Sequence, residues 1–343
     1  MKTAVVLFNL GGPDRKEAIQ PFLFNLFNDR AIIGLPQPLR WILAKVISRR
    51  RAPIAEEIYA HLGGGSPLLR NTERQAEALE KTLNLGEEKR EYRVFIAMRY
   101  WHPFAAQTVK DVQAWGAEEV VLLPLYPQFS TTTSRSSISN WKLEAAKAGF
   151  AVETKAICCY PAGEGFTAAV ARLLREALGK INGPVRVLFS AHGLPKKIVD
   201  RGDPYQWQVE RSAKTVVAKL AADDLDWIVC YQSRVGPLEW IGPSTEDEIV
   251  RAGKDGKSVV VVPIAFVSEH SETLVELDIE YKALAEKVAV SRYLRVRTVS
   301  DDSEFIGGLK KLCQQALESE KAWSCQGCER ICPNEWPQCP REV

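Results

Sequence analysis

A chain of 343 residues is long for a single hydrophobic core, and two domains are the natural reading. With 46% apolar and 26% charged residues it cannot be disordered throughout, and a net charge of +2 gives no broad basic field for nucleic acid. No run of 18 uncharged apolar residues occurs, which excludes a hydrophobic spanning segment.

The first apolar run, residues 4–10, is too short for a signal-peptide core and stops at Gly11-Gly12-Pro13. It reads as a buried strand, and the default compartment is the cytoplasm. Comparable runs bounded by turn residues fall at 92–98, 119–125, 152–158, 185–190, 227–232, 258–265 and 294–299. Continuous apolar character of this kind predicts parallel strands buried on both faces. Helical periodicity fills 104–115, 166–178, 206–220, 273–288 and 303–317. The alternation predicts doubly wound α/β layers, with the eight strands dividing four and four near residues 159–183.

One early segment breaks the alternation. Residues 19–47 are rich in Phe, Leu, Ile and Trp, are interrupted by Pro36 and Pro38, and run on to Arg49-Arg50-Arg51. An exposed apolar lip with a basic edge suits a greasy anionic ligand or an anionic membrane surface. A helical hairpin completing the first domain, its arginines solvated, explains the composition equally well.

Several strands end in a turn with polar residues: Asn9-Leu10-Gly11-Gly12-Pro13, Arg99-Tyr100-Trp101-His102-Pro103, Pro124 to Gln128, Ser190-Ala191-His192-Gly193, Tyr231-Gln232-Ser233-Arg234 and Ser268-Glu269-His270. Ligands of open α/β sheets bind at the carboxyl ends of the strands, so these clusters are expected to face one cleft between the halves. Of the four histidines, His102 beside Pro103 reads as packing and His61 as surface. His192 projects from a strand end, where an imidazole is a natural general base. His270, between Glu269 and Glu272, can relay protons or hold a divalent cation, although helix capping accounts for Glu269. Gly63 to Gly65 with Ser66 lacks phosphate-loop spacing and follows a helix, so it does not indicate a nucleotide.

Eight cysteines without a secretory signal do not form a disulfide framework. Four of them, Cys325, Cys328, Cys332 and Cys339, crowd the proline-rich C-terminal tail with spacings of two, three and six intervening residues. Such a segment cannot make a core but can fold around a metal; from spacing alone, zinc and an iron–sulfur cluster stand level.

Seven ordered motifs resemble those of one family: LFNLGGP (7–13), RRAPIAEEIYAHLGGGSP (50–67), MRYWHP (98–103), LPLYPQFS (123–130), SAHGLP (190–195), YQSRVGP (231–237) and PIAFVSEHSETL (263–274). The chain is similar to ferrochelatases, which insert ferrous iron into protoporphyrin IX in the last step of haem synthesis. The resemblance implies a chelatase-like α/β fold of two Rossmann-like domains, each with a four-stranded parallel sheet flanked by helices. It places the first domain at 1–159 with 19–47 as a porphyrin-covering lip, the second at 160–318, and a cluster-binding tail at 319–343. It makes His192, Glu272 and His270 the catalytic set, with His192 and Glu272 also meeting the incoming Fe2+. Arg99, Tyr100, Trp240, Arg50, Arg51, Ser66 and Leu10 become porphyrin contacts. Peripheral contact of the lip with the cytoplasmic face of the inner membrane follows from the same likeness; the family includes monomers and dimers, which leaves a homodimer contact built by the tail as one alternative.

Some family members carry a [2Fe–2S] cluster with one internal ligand, at the position of Thr131 here. Cys339 then supplies the fourth ligand locally, ahead of Cys158, and [2Fe–2S] is favoured over zinc or no metal. The rival readings are a chelatase for another metal or for coproporphyrin, a tetrapyrrole- or metal-binding protein without turnover, and a redox protein.

Overall fold

The computed structural model describes residues 1–86, 89–222, 224–234, 236–327 and 330–340. Two compact units divide the chain: Met1–Tyr126, Ser130–Cys158 and Lys310–Cys328 form the first, and Pro127–Phe129, Cys159–Leu309 and Glu329–Val343 the second.

The first unit runs β1 (Lys2–Asn9), α1 (Ile19–Phe27), α2 (Gln37–Ala60), α3 (Leu68–Asn84), β2 (Glu91–Met98), α4 (Ala105–Trp115), β3 (Glu119–Pro124), α5 (Ser134–Lys147) and β4 (Glu153–Ile157). β1 is central: Val5 pairs with Val94 of β2 and Val121 of β3, all in parallel register. Ala4, Val6 and Phe8 pack with Val109, Val112, Val120 and Trp141 on one face, while Val5 and Leu7 are equally buried on the other. Burying each such side chain contributes roughly 1.5–3 kcal/mol, which explains why this strand carries no alternating polar residues.

The second unit runs α6 (Glu164–Leu178), β5 (Val185–His192), α7 (Lys196–Asp200), α8 (Tyr205–Leu220), β6 (Trp227–Gln232), α9 (Thr245–Lys254), β7 (Ser258–Pro263), α10 (Tyr281–Lys287) and β8 (Tyr293–Arg295). The boundary between units falls inside α11 (Ser303–Glu318), and β9 (Trp323–Ser324) belongs to the first. The second sheet is parallel and ordered β6-β5-β7-β8, with four strands as expected.

Three sequence expectations need correction. The first sheet has five strands among the described residues, ordered β2-β1-β3-β4-β9. The added β9 lies in the tail and pairs Trp323 with Ala156 and Ser324 with Ile157; two residues are too few to show any periodicity. The single helix expected at 273–288 is instead a π-wound stretch, Glu272–Glu280, continuing into α10, a rare i→i+5 winding that α-helical periodicity does not signal. The last strand closes at Arg295, although the apolar run extends to residue 299.

Both readings of the 19–47 segment meet in the structure. α1 and α2 form a helical pair, with Ile19, Phe22 and Leu23 packed against Ala52, Tyr59 and Tyr100. The outer side of α2 leaves Leu39, Trp41, Ile42 and Val46 between 42% and 58% exposed.

Candidate active site

His192 is the last residue of β5, still in register with Gln232 of β6. The next position has room only for glycine: a Cβ on Gly193 would lie 2.9 Å from the Gln232 carbonyl oxygen and 3.3 Å from the Trp240 ring. Tyr205, at the start of α8, donates its hydroxyl to the His192 carbonyl at 3.0 Å. Strand pairing, glycine and tyrosine thus fix the imidazole at the carboxyl end of β5. Trp240, a sequence candidate, lies against Gly193 with its indole Nε1 buried and without a hydrogen-bond partner.

The His192 Nδ1 stands 2.8 Å from Oε2 of Glu272, the first residue of the π-wound stretch. An ionised carboxylate only accepts, so Nδ1 carries the proton and the Nε2 lone pair is left available. The imidazole side chain keeps 42% of its surface accessible and Glu272 only 23%. Burial disfavours the imidazolium, but the Glu272 carboxylate outweighs it by charge and hydrogen bond and holds His192 above its usual 6.5. Reciprocally, burial would raise Glu272, yet His192, His270 and Ser233 together hold it well below the carboxylate range.

Two more residues complete this corner: Ser233, from the strand-end cluster at 231–234, and Glu276, which the sequence did not single out. Ser233 Oγ lies 2.6 Å from Oε2 of Glu276 and 3.1 Å from Oε2 of Glu272, and its N–H donates to Oε1 of Glu276 at 2.8 Å. Its φ of +59° lies in the left-handed region, which costs a non-glycine residue and turns the N–H toward the carboxylate. Glu276 also accepts from Gln232 Nε2 at 2.9 Å and the Tyr281 hydroxyl at 3.0 Å. Burial, then the neighbouring Glu272 charge, raise Glu276, so the two carboxylates are driven apart in acidity. Their spacing of four in the sequence is the signal that could have found Glu276.

His270 belongs to the same group electrostatically. Its half-buried ring packs on Phe266 at 4.8 Å, its Nδ1 has no well-formed hydrogen bond, and burial keeps it below 6.5, hence neutral at physiological pH. Glu269, for which capping is the sequence expectation, is instead ion-paired with Arg295 at 2.7 Å and accepts the Thr298 N–H at 2.9 Å.

In the first unit, Arg99 and Tyr100 converge on a residue the sequence did not single out. Asp29 Oδ2 accepts from Arg99 Nη2 at 2.8 Å, the Tyr100 hydroxyl at 2.8 Å and Ser136 Oγ at 2.6 Å. Burial would raise its pKa, but Arg99, Ser136, the Ala31 N–H and Tyr100 win, and the Asp29 pKa is lowered. Tyr100 is 1% exposed, and its backbone N–H donates to the Leu10 carbonyl. Ser66 presses its Oγ against Gly12, where a Cβ would sit 2.5 Å away. Arg51 stacks over Phe27 at 5.7 Å, while Arg50 is exposed on α2. His102 is wedged between Trp101 and Phe104, consistent with its reading as a packing residue.

Of the tail cysteines, Cys325, Cys332 and Cys339 are buried, whereas Cys328 lies outside the described residues. Cys332 hydrogen-bonds with the thiols of Cys159 and Cys339, which with burial holds it protonated, and Gln208 Nε2 reaches Cys332 Sγ at 3.1 Å and Cys159 Sγ at 3.4 Å. Cys159, next to the sequence candidate Cys158, is therefore the internal thiol that meets the tail in the second unit. Among the described residues no set of three or more ligating side chains is closed around a metal position.

The ferrochelatase family model matches residues 2–317, so the tail lies beyond it. The chain is 50% identical to the ferrochelatase of Pelagibacter ubique over 340 residues, covering 99% of this chain and 98% of that one. It is 52% identical to the Caulobacter vibrioides ferrochelatase over 341 residues, covering 99% and 97%. The ferrochelatase of a Wolbachia strain from Drosophila simulans is 53% identical over 315 residues, covering 91% and 99%. Among solved structures, SirB from Bacillus subtilis with Fe3+ superposes with a TM-score of 0.52 at 13% identity, covering 92% of this chain and 96% of that one, a likeness of fold. On this evidence the chain belongs to the ferrochelatase family, the metal chelatases that make protohaem by inserting iron into a porphyrin.

Proposed function

We propose that insertion of Fe2+ into protoporphyrin IX runs on the His192–Glu272 pair, with His192 as the base that takes the two pyrrole N–H protons in turn. The carrying observation is the 2.8 Å contact that commits Nδ1 to Glu272 while the imidazole remains 42% exposed. Nε2 accepts a proton, the Glu272 carboxylate stabilises the resulting imidazolium, and Glu276 stands next in line to receive charge. Neutral His270 adds an imidazole donor suited to ferrous iron entering the site, and Glu272 a hard oxygen ligand. Replacing His192 with Ala should abolish insertion with the fold intact; a folded variant that still makes protohaem would overturn this assignment. Assays with coproporphyrin and with other divalent metals decide the substrate preference.

Trp240, Leu10, Ser66, Arg50 and Arg51 are assigned to porphyrin contact, the arginines and serine toward its propionates. Arg99 and Tyr100 are assigned to holding α1 and α2 through Asp29, because their polar atoms are already committed there. The exposed apolar side of α2, with Lys45 over the Trp41 ring at 4.6 Å, supports peripheral contact with the cytoplasmic membrane face; among the described residues no helix is long and apolar enough to cross one. Co-sedimentation with anionic vesicles tests that contact, and a Trp41→Ser/Ile42→Ser variant should remain in the supernatant.

The tail is assigned to a [2Fe–2S] cluster held by Cys325, Cys328, Cys332 and Cys339. Cys159 stands as the internal alternative in place of Thr131 or Cys158. The fit rests on soft thiol donors drawn together around Cys332. When bound, the cluster would cross-link the tail and offer one-electron chemistry; the chelation steps above do not use it. A red-brown absorption spectrum lost on Cys332→Ser supports it, whereas a colourless protein containing zinc excludes it.

A further inference from the structure

The segment Glu272–Glu280 is wound as a π-helix, which is seldom longer than one turn and needs outside support. Besides the contacts from Gln232 and Ser233 to Glu276, that support comes from one short strand. Tyr293 and Arg295 lie two apart on β8 and so share a face. The Tyr293 hydroxyl donates to the Leu277 carbonyl at 2.7 Å, a main-chain acceptor inside the π-wound stretch. Arg295 binds Asp278, also inside it, through Nε at 2.8 Å and through Nη2. Its Nη1 reaches Glu269, just before the stretch, at 2.7 Å, and its side chain is only 10% exposed.

β8 is paired to β7, with Val259 opposite Tyr293 and Val261 opposite Arg295, and β7 is paired to β5, which ends in His192. The base and the clamp on its carboxylate partner are therefore anchored in the same sheet. We infer that Tyr293 and Arg295 are positioning residues for iron insertion, holding residues 269–278 in π winding so that Glu272 meets the His192 imidazole. This rests on the His192–Glu272 reading of the site and adds to it residues that touch neither substrate.

Steady-state insertion by the full-length protein tests it, with Tyr293→Phe, Arg295→Lys and Arg295→Met compared at equal folded concentration. The expected result is a fall in kcat with the porphyrin KM unchanged. The fall should be about 10-fold for Y293F and R295K and up to about 100-fold for R295M, the scale on which a 1 Å misplacement acts. Y293F removes one hydroxyl and leaves every ion pair, so it decides the matter even where R295M fails to fold. Wild-type kcat in folded Y293F and R295K, with only the melting temperature lowered, would overturn the inference. H192A distinguishes the two levels: if H192A is inactive and the clamp variants are not, only the clamp fails. If H192A is active, the reading beneath it fails.

Discussion

The second-unit corner at His192 and the first-unit knot at Asp29 are built from similar parts: a carboxylate, a cationic or ionisable partner, and hydroxyl donors. They differ in what is left over. At Asp29, three side chains converge on one oxygen and Tyr100 is fully buried. Nothing there can change protonation near neutrality without losing the network. At His192, one ring nitrogen is committed and the other is open on a side chain 42% exposed, with a second carboxylate of raised pKa beside the first. The difference teaches that a charged cluster becomes reactive through an unsatisfied acceptor held in place, and becomes structural when its valences are filled.

The largest test of that contrast is His192→Ala, expected to cut kcat by at least about 10³-fold, within the range general base catalysis contributes, with circular dichroism unchanged. Glu272→Gln should cost about 10²-fold at the optimum. Removing the carboxylate also removes what favours the imidazolium, so the acid limb of the pH–rate profile should move to lower pH. A limb that stayed in place would assign it to another group.

At Asp29 the effect should fall on stability. Asp29→Ala leaves the Arg99 charge without its carboxylate and the Tyr100 and Ser136 hydroxyls without their acceptor, with only the Arg99–Ser136 hydrogen bond kept, and should cost about 3 kcal/mol in urea denaturation at pH 7. Because the folded state lowers Asp29, its contribution is present above 3.8 and is lost as pH falls through its folded value. The gap between variant and wild type should accordingly narrow in acid. Tyr100→Phe, which removes one donor of three, should cost about 1 kcal/mol and leave kcat per folded molecule unchanged. A kcat loss exceeding its stability loss would instead make Tyr100 a direct substrate contact.

Much of this was legible in the residues. Apolar runs located β1 to β8 but not the two-residue β9, and turn-plus-polar endings drew attention to His192 and to the 269–272 segment. Asp29 was hidden because a single acid in an apolar segment does not name its partners. Ser233 was marked only as part of its strand-end cluster, and Cys159 was hidden because its role depends on segments that approach from elsewhere. Glu276 was readable in principle, four residues after Glu272, but only the π winding shows what surrounds it.

Periodicity and motif order by themselves determined the α/β class, the parallel strands and the family, since burial on both faces dictates residue type along a strand whatever its neighbours are. Tertiary structure alone decided that β9 closes the first sheet, that Glu269 pairs with Arg295, and that Nδ1 of His192 is the committed nitrogen. Each of these is a pairing between residues far apart in the chain, and hydrogen-bond geometry is set by where two backbones meet, which a local pattern does not encode.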